Sequence, residues 1–180
     1  MDALTLLKER RSIRKFKNEV VDRKIMNDII EVSRFAPSWA NYQIARYTVI
    51  DNKDIIKQIT EEGVKGFVYN ISTLQTAPGV VVISYVQGKS GKLDKYGLAN
   101  TNHNPWEVFD AGIATHQFCL SAYALGVGTV IMGVIDNEKI SKIIDLPENE
   151  TVAALVVYGY EESHPKPTSR KDVKEITRFL

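Results

Sequence analysis

Val80-Val81-Val82-Ile83-Ser84-Tyr85 is the stretch that most narrows what this chain can fold into. A strand with one wet face alternates apolar and polar residues, and this one does not. Both of its faces must therefore be covered, as in a central strand. Pro78-Gly79 punctuates its start. Three further strand patterns can supply neighbours: Tyr47-Thr48-Val49-Ile50, Thr129 to Val134, and Val152 to Tyr158. Helical patterns come first and then interleave with these strands, which argues for a sheet carrying helices on both faces.

Leu4 and Leu7 mark a short first helix. Asp22 caps a second, with Ile25, Met26, Ile29, Ile30 and Phe35 on one face and Pro37 as its stop. Asp54 to Ile59 reads as a short helix burying Ile55, Ile56 and Ile59. Gly63 to Thr76 is ambiguous, with Phe67, Ile71 and Leu74 favouring a helix. Gln87 to Gly97, bearing Gly88, Gly91, Lys89, Lys92 and Lys95, reads as a polar surface loop that continues irregularly through Thr101 to Trp106.

Glu107 to Leu125 is the longest helix and is apolar on most sides (Val108, Phe109, Ile113, Phe118, Leu120, Leu125). Such a helix belongs in a core or against a partner subunit, and Gly126 closes it. Asp136 caps a helix through Ile140, Ile143 and Ile144, which Leu146-Pro147 ends. From Glu161 the chain is polar, with Pro165, Pro167, Ser169, Arg170 and Lys171. It has too few apolar residues for a core of its own, so it frays or lies on another surface.

With 180 residues, the expectation is one domain, 1–180, with a tail of about 161–180. The net charge of +1 gives no global field to recruit nucleic acid or an acidic membrane. The single cysteine, Cys119, excludes intrachain disulfides and fits a reducing cytosol. The N-terminus lacks a basic start followed by an apolar run, so no signal peptide is expected. No stretch approaches the roughly 20 apolar residues of a membrane span. The expected location is cytoplasmic.

The chemistry concentrates in Glu9-Arg10-Arg11-Ser12-Ile13-Arg14-Lys15-Phe16-Lys17. If this segment is extended, Arg10, Ser12 and Arg14 point one way and Arg11, Ile13 and Lys15 the other. Two guanidinium groups and a hydroxyl then make a cradle for a phosphate. Taken alone, a solvated basic turn is the better reading of such a run. Its continuation changes that: the next helix ends at Ala36-Pro37-Ser38-Trp39-Ala40-Asn41-Tyr42-Gln43.

Arg-Arg-Ser-x-Arg-x-Phe followed by Ala-Pro-Ser-x-x-Asn-x-Gln resembles the FMN-dependent nitroreductase family. The second half is similar too: a helix ending Ala-Leu-Gly-Val-Gly-Thr, a strand, Asp136 to Ile144, then Val-Val-Tyr-Gly-Tyr and a basic tail. The resemblance spans nearly the whole chain. It implies an α+β fold with a mainly antiparallel central sheet flanked by helices. It also implies an intertwined homodimer with flavin at the subunit interface and the tail packed on the partner.

The resemblance further implies which residues meet FMN. Arg10 and Ser12, with Arg11 beside them, fall in the phosphate motif, joined by Arg170 or, second, Lys171 from the tail. Read without it, Arg170 is a solvated tail residue. Arg14 falls where the family places a cation near N1 and O2 of the ring, where reduction deposits negative charge. Asn70 aligns with an asparagine that reads the pyrimidine edge; from the residues alone a helix-surface amide is equally good. Thr73 stands where some members have a second cation, leaving Arg14 as the main one. Met132 and Gly133 lie where backbone approaches the N5 side, and glycine permits that closeness. A bulge glycine is the plain reading. Pro37, Ser38, Trp39 and Asn41 would cover the ring from the other subunit. Trp39 is bulkier than usual there, and either narrows the pocket or stacks on substrate. Ile44-Ala45-Arg46 replaces the Pro-Trp that most members carry after the glutamine.

Three rival signals are weaker. Gly126-x-Gly128 with Gly133 mimics a dinucleotide fingerprint, but it lies between helix and strand, the wrong order for that site. His116 and Cys119, one turn apart, with His103 lack a fourth metal ligand, so no metal is expected. A mostly apolar helix raises a thiol's pKa, which argues against Cys119 as a nucleophile. The function implied is an FMN-dependent oxidoreductase. NAD(P)H would reduce the flavin, leave, and be replaced by a nitroaromatic, quinone or similar electron-poor acceptor. No side-chain acid or base is invoked. The alternative is an FMN storage or sensor protein without efficient turnover; the third reading is a plain anion-binding module.

Overall fold

The computed structural model describes residues 2–64, 66–92 and 106–180. The expected central strand is β2 (Gly79–Val86), flanked by β1 (Ala45–Ile50) and β4 (Glu150–Gly159), with β3 (Gly128–Met132) beyond β4. The order β1-β2-β4-β3 is antiparallel throughout. Alternation along β2 and β4 splits the core in two. Val80, Val82, Leu155 and Val157 pack on α3 (Lys53–Gln58), α4 (Val68–Thr76) and α6 (Asn137–Ile143), through Ile56, Leu74 and Ile140. Val81, Ile83, Val156 and Tyr158 face α2 (Arg23–Ser33) and α5 (Trp106–Ala124), through Met26, Ile29, Phe118 and Ala122. Helices on both faces are what the apolar run of β2 demands. Its polar member, Ser84, is fully buried and donates to Glu150 Oε2 at 2.6 Å.

Local signals set the helix ends. Asp22 Oδ1 accepts from Lys24 N at 2.6 Å to start α2, and Asn52 and Asp136 do the same for α3 and α6. Helix α2 stops at Ser33, short of Pro37. The residue before a proline is pushed out of the helical region, so the last turn must tighten ahead of Ala36. Phe35 N accordingly reaches back only to Val32 O. Phe35 therefore leaves the apolar face where the sequence pattern put it; it is exposed, with the Arg34 guanidinium 4.7 Å from its ring centre. A π-type turn, Ile59–Gly63, extends α3, and α4 starts only at Val68.

The N-terminal ribbon after α1 (Ala3–Glu9) seals the sheet edge. Ser12 bridges to Thr129 of β3, with Ile13 N donating to Thr129 O at 2.9 Å. Phe16 then bridges to Glu161, and Lys17 N reaches Tyr160 O at 2.9 Å. Strict alternation does not hold along it: Ile13 and Phe16 are both buried, while Arg14 and Lys15 both face outward. Two isolated bridges with different partners allow that change of face, where one continuous ladder would not. Strand β3 ends at Met132, two residues before the predicted Val134. The chain leaves the sheet there so that Ile135 can pair with Val64.

Helix α5 divides its apolar surface. Phe118, Cys119 and Ala122 enter the core, whereas Val108 and Phe109 face outward, Phe109 at 57% exposure. His116, one turn before Cys119, is exposed. In the tail, α7 (Val173–Ile176) is short, and every residue from Lys166 to Leu180 is exposed, including Val173, Ile176 and Phe179.

Candidate functional site

Pairing of Ser12 with Thr129 lays the Arg10–Arg14 ribbon beside β3, the strand that ends in Met132 and Gly133. The structure thus brings together two of the predicted segments. Arg10 and Arg14 have no ion-pair partner among the described residues, and Arg14 is tied only by a long 3.5 Å contact from Nη1 to Ser12 O. Unpaired cations beside an exposed strand end suit an anion. Arg11 differs: its Nη1 donates to the carbonyls of Lys8 (2.6 Å) and Arg10 (3.1 Å), closing the end of α1.

Met132 buries its side chain in the core, so only its backbone can border a ligand. Gly133 is exposed, and a methyl group there would meet nothing within 4 Å. That is open room beside a backbone. The Val64–Ile135 bridge and the bond from Asp136 N to Gly63 O (2.7 Å) start the approach to α4 next to this strand end. Asn70 lies in the first turn of α4, half-buried, its amide making no hydrogen bond among the described residues.

Pro37, Ser38, Trp39 and Asn41 belong to the other sheet edge, leading into β1. Register places Thr48, Val82, Leu155 and Met132 in one row across the sheet. Three strand spacings, about 14 Å, separate β1 from β3 in that row. One chain therefore does not gather all the predicted residues. Arg170 and Lys171 also stay apart: among the described residues, Arg170 Nη1 bonds only Thr168 and Ser169 of its own tail.

The 37–43 segment is built with care. Trp39–Asn41 forms a single 3-10 turn in which Ala40 (φ 44°), Asn41 (φ 56°) and, just after, Gln43 (φ 50°) are left-handed without being glycine. Each such residue costs about 1–2 kcal/mol, so surrounding bonds must hold it. Ser38 Oγ accepts from Gln43 N at 2.9 Å. Asp110 of α5 accepts from Trp39 N at 3.1 and 3.0 Å and from Ser90 Oγ at 2.6 Å. Glu107, one turn earlier, accepts from Gly88 N at 2.6 Å. The Trp39 ring meets Trp106 at 5.2 Å, and Trp106 meets Phe109 at 4.9 Å.

Glu107, Asp110, Ser90 and Trp106 were not singled out in the sequence. The available signal was two acids one turn apart in an otherwise apolar helix. The two metal and nucleophile candidates have different outcomes. Burial pushes the Cys119 thiol up, with the Thr129 hydroxyl and the Arg10 charge pulling partway back. His103 lies outside the described residues; among those described, no three His, Cys, Asp or Glu side chains converge on a metal site. Gly126 (φ 79°) closes α5 ahead of β3, the helix-then-strand order already noted. No helix among the described residues is long and apolar enough to cross a membrane.

Solved structures share this architecture. A nitroreductase family protein from Clostridium difficile superposes with a TM-score of 0.82 at 22% identity, covering 99% of this chain and 98% of its own. A protein from Exiguobacterium sibiricum solved in complex with FMN gives 0.83 at 20% identity, covering 100% and 98%. Among curated relatives, NADH dehydrogenase of Thermus thermophilus is 24% identical over 98% of this chain and 95% of its own length. Oxygen-insensitive NADPH nitroreductase of Helicobacter acinonychis is 22% identical over 97% and 95%. The class so defined is an oxidoreductase on an α+β, antiparallel-sheet fold. The profile of the Nitroreductase family matches residues 7–160, and the chain belongs to that family.

Proposed function

We propose that the protein binds FMN between two copies of this chain and passes electrons from NAD(P)H to small electron-poor acceptors such as nitroaromatics or quinones. The observation that carries the reading is the pair of guanidinium groups without an ion-pair partner among the described residues, Arg10 and Arg14, on a ribbon bonded to β3, whose end at Gly133 opens to free space. FMN supplies the redox chemistry when bound. The chain's own residues bind and tune it. Arg10 and Ser12, with Arg11 beside them, hold the phosphate, joined by Arg170 or Lys171 of a partner's tail. Arg14 holds a fixed positive charge where the ring becomes negative. Asn70 reads the pyrimidine edge, and the backbone of Met132 and Gly133 borders N5.

Two copies are needed because the second set, Pro37, Ser38, Trp39 and Asn41, sits on the far edge of the sheet. The outward face of α5 around Val108 and the exposed tail from about 161 supply surface for the dimer. The chain is read as one domain, 1–180, acting in the cytoplasm, with no nucleic-acid or membrane partner. The test is the absorption spectrum of purified protein before and after anaerobic NADPH. Flavin bands that bleach support the reading; a colourless protein that takes up no FMN at micromolar concentration refutes it. Bands that bleach without turnover of a nitro compound or quinone would instead support storage or sensing.

A further inference from the structure

We propose that Asp110 is a positioning residue that fixes Trp39 as one wall of the acceptor opening, and that this wall favours flat aromatic acceptors; the inference rests on the flavin reading above. Asp110 is only 3% exposed and has no cation partner among the described residues. A buried carboxylate without a cation is costly unless hydrogen bonds surround it. Here the donors are the Trp39 peptide and the Ser90 hydroxyl, itself fully buried. The charge thus goes into locating two connections, the one entering β1 and the one leaving β2, against the start of α5.

Packing alone does not locate Trp39. A half-open pocket of ≈ 240 Å³ borders the segment, with Ser33, Pro37, Ser38, Gln43, Tyr47 and Asp110 among its walls. Next to Trp39 come the left-handed residues Ala40, Asn41 and Gln43, which relax to ordinary conformations once their restraints go. Without Asp110 the segment has both room and reason to move. With it, the Trp39 indole leans on Trp106 at 41°, and Trp106 meets Phe109 edge-on at 76°. The three rings form a ledge along the outward side of α5, half open to solvent. Such a ledge stacks flat rings by offset or edge contacts and offers little to a small hydrated ion.

The test compares two oxidants of the dithionite-reduced FMN protein in stopped flow. One 1,4-naphthoquinone takes both electrons and two protons, becoming the hydroquinone. Two ferricyanide ions take one electron each, the protons going to solvent. We expect the ratio of quinone to ferricyanide second-order rates to fall about tenfold in Asp110→Ala, on the scale of one hydrogen bond to a charged group, and less in Asp110→Asn, which still accepts from Trp39 N. A second readout needs no turnover: the chain has two tryptophans, so Trp106→Phe isolates Trp39 emission. In that background Asp110→Ala should raise acrylamide quenching about twofold, as expected for a freed, more solvated indole. An unchanged ratio and unchanged quenching, with FMN bound, overturn the inference and leave the flavin reading standing. A parent protein without FMN overturns both. If the Asp110 variants do not fold, Trp39→Ala carries the test, since it removes the wall directly; an unchanged oxidant ratio there also overturns it.

Discussion

Arg14→Ala separates redox tuning from simple binding. Arg14 is exposed and its contact with Ser12 O, at 3.5 Å, is at the limit of a hydrogen bond. Removing it should change folding stability by no more than about 0.5 kcal/mol, the usual range for such surface positions. Any effect on the flavin is then free of unfolding. If Arg14 faces the ring where negative charge appears on reduction, its charge-assisted bond is worth about 1.5–3 kcal/mol more in the reduced state. For a two-electron couple that lowers the midpoint potential by roughly 30–65 mV. Arg10 is the internal control, because a phosphate keeps its charge on reduction. Arg10→Ala should weaken FMN binding roughly ten- to hundredfold and leave the potential nearly unshifted. Equilibration with a reference dye during anaerobic reduction measures both potentials at saturating FMN. Equal potentials in Arg14→Ala and the parent, at full occupancy, refute the placement of Arg14.

Three other perturbations test the architecture. Truncation before Glu161 should weaken the proposed dimer and release FMN together; light scattering that finds a monomer still holding flavin would contradict a shared site. Burial pushes the Tyr47 and Tyr158 phenols up to about 12 from 10.0, the latter also through the Asp51 charge. The unfolded chain loses these protons near pH 10 while the folded chain keeps them. Stability is therefore intact below about pH 10 and falls as pH rises towards 12. Urea midpoints at about pH 9 and 11 should converge in Tyr47→Phe relative to the parent, and an identical drop would count against the assignment. Cys119 is 1% exposed with its thiol pushed up, so iodoacetamide at about pH 8 should label it only in denaturant. Labelling of the native protein would show that α5 opens locally.

What could be read from the residues divides along a physical line. The unbroken apolar run of β2 required cover on both faces, and α2 and α5 on one side with α3, α4 and α6 on the other supply it. Caps at Asp22 and Asp136 were legible because capping is local, one side chain meeting a backbone group two or three residues on. The face of Phe35 was misread because a proline two residues later ends the helix early, and the path from Gly133 to Ile135 because a single bridge to Val64 decides it. Asp110 belongs to the least legible kind. Its partners lie 71 and 20 residues away, at Trp39 and Ser90, and no period or local motif couples such positions. Yet its type and place carried a trace: a charge within a mostly apolar helix is expensive to bury without a task. In this chain that task is to gather the connections at the start of α5, one of which carries Trp39. The site residues written into motifs are thus those that would meet a ligand through ribbon and strand backbone. Those that aim the motifs show only when distant strands are brought into register.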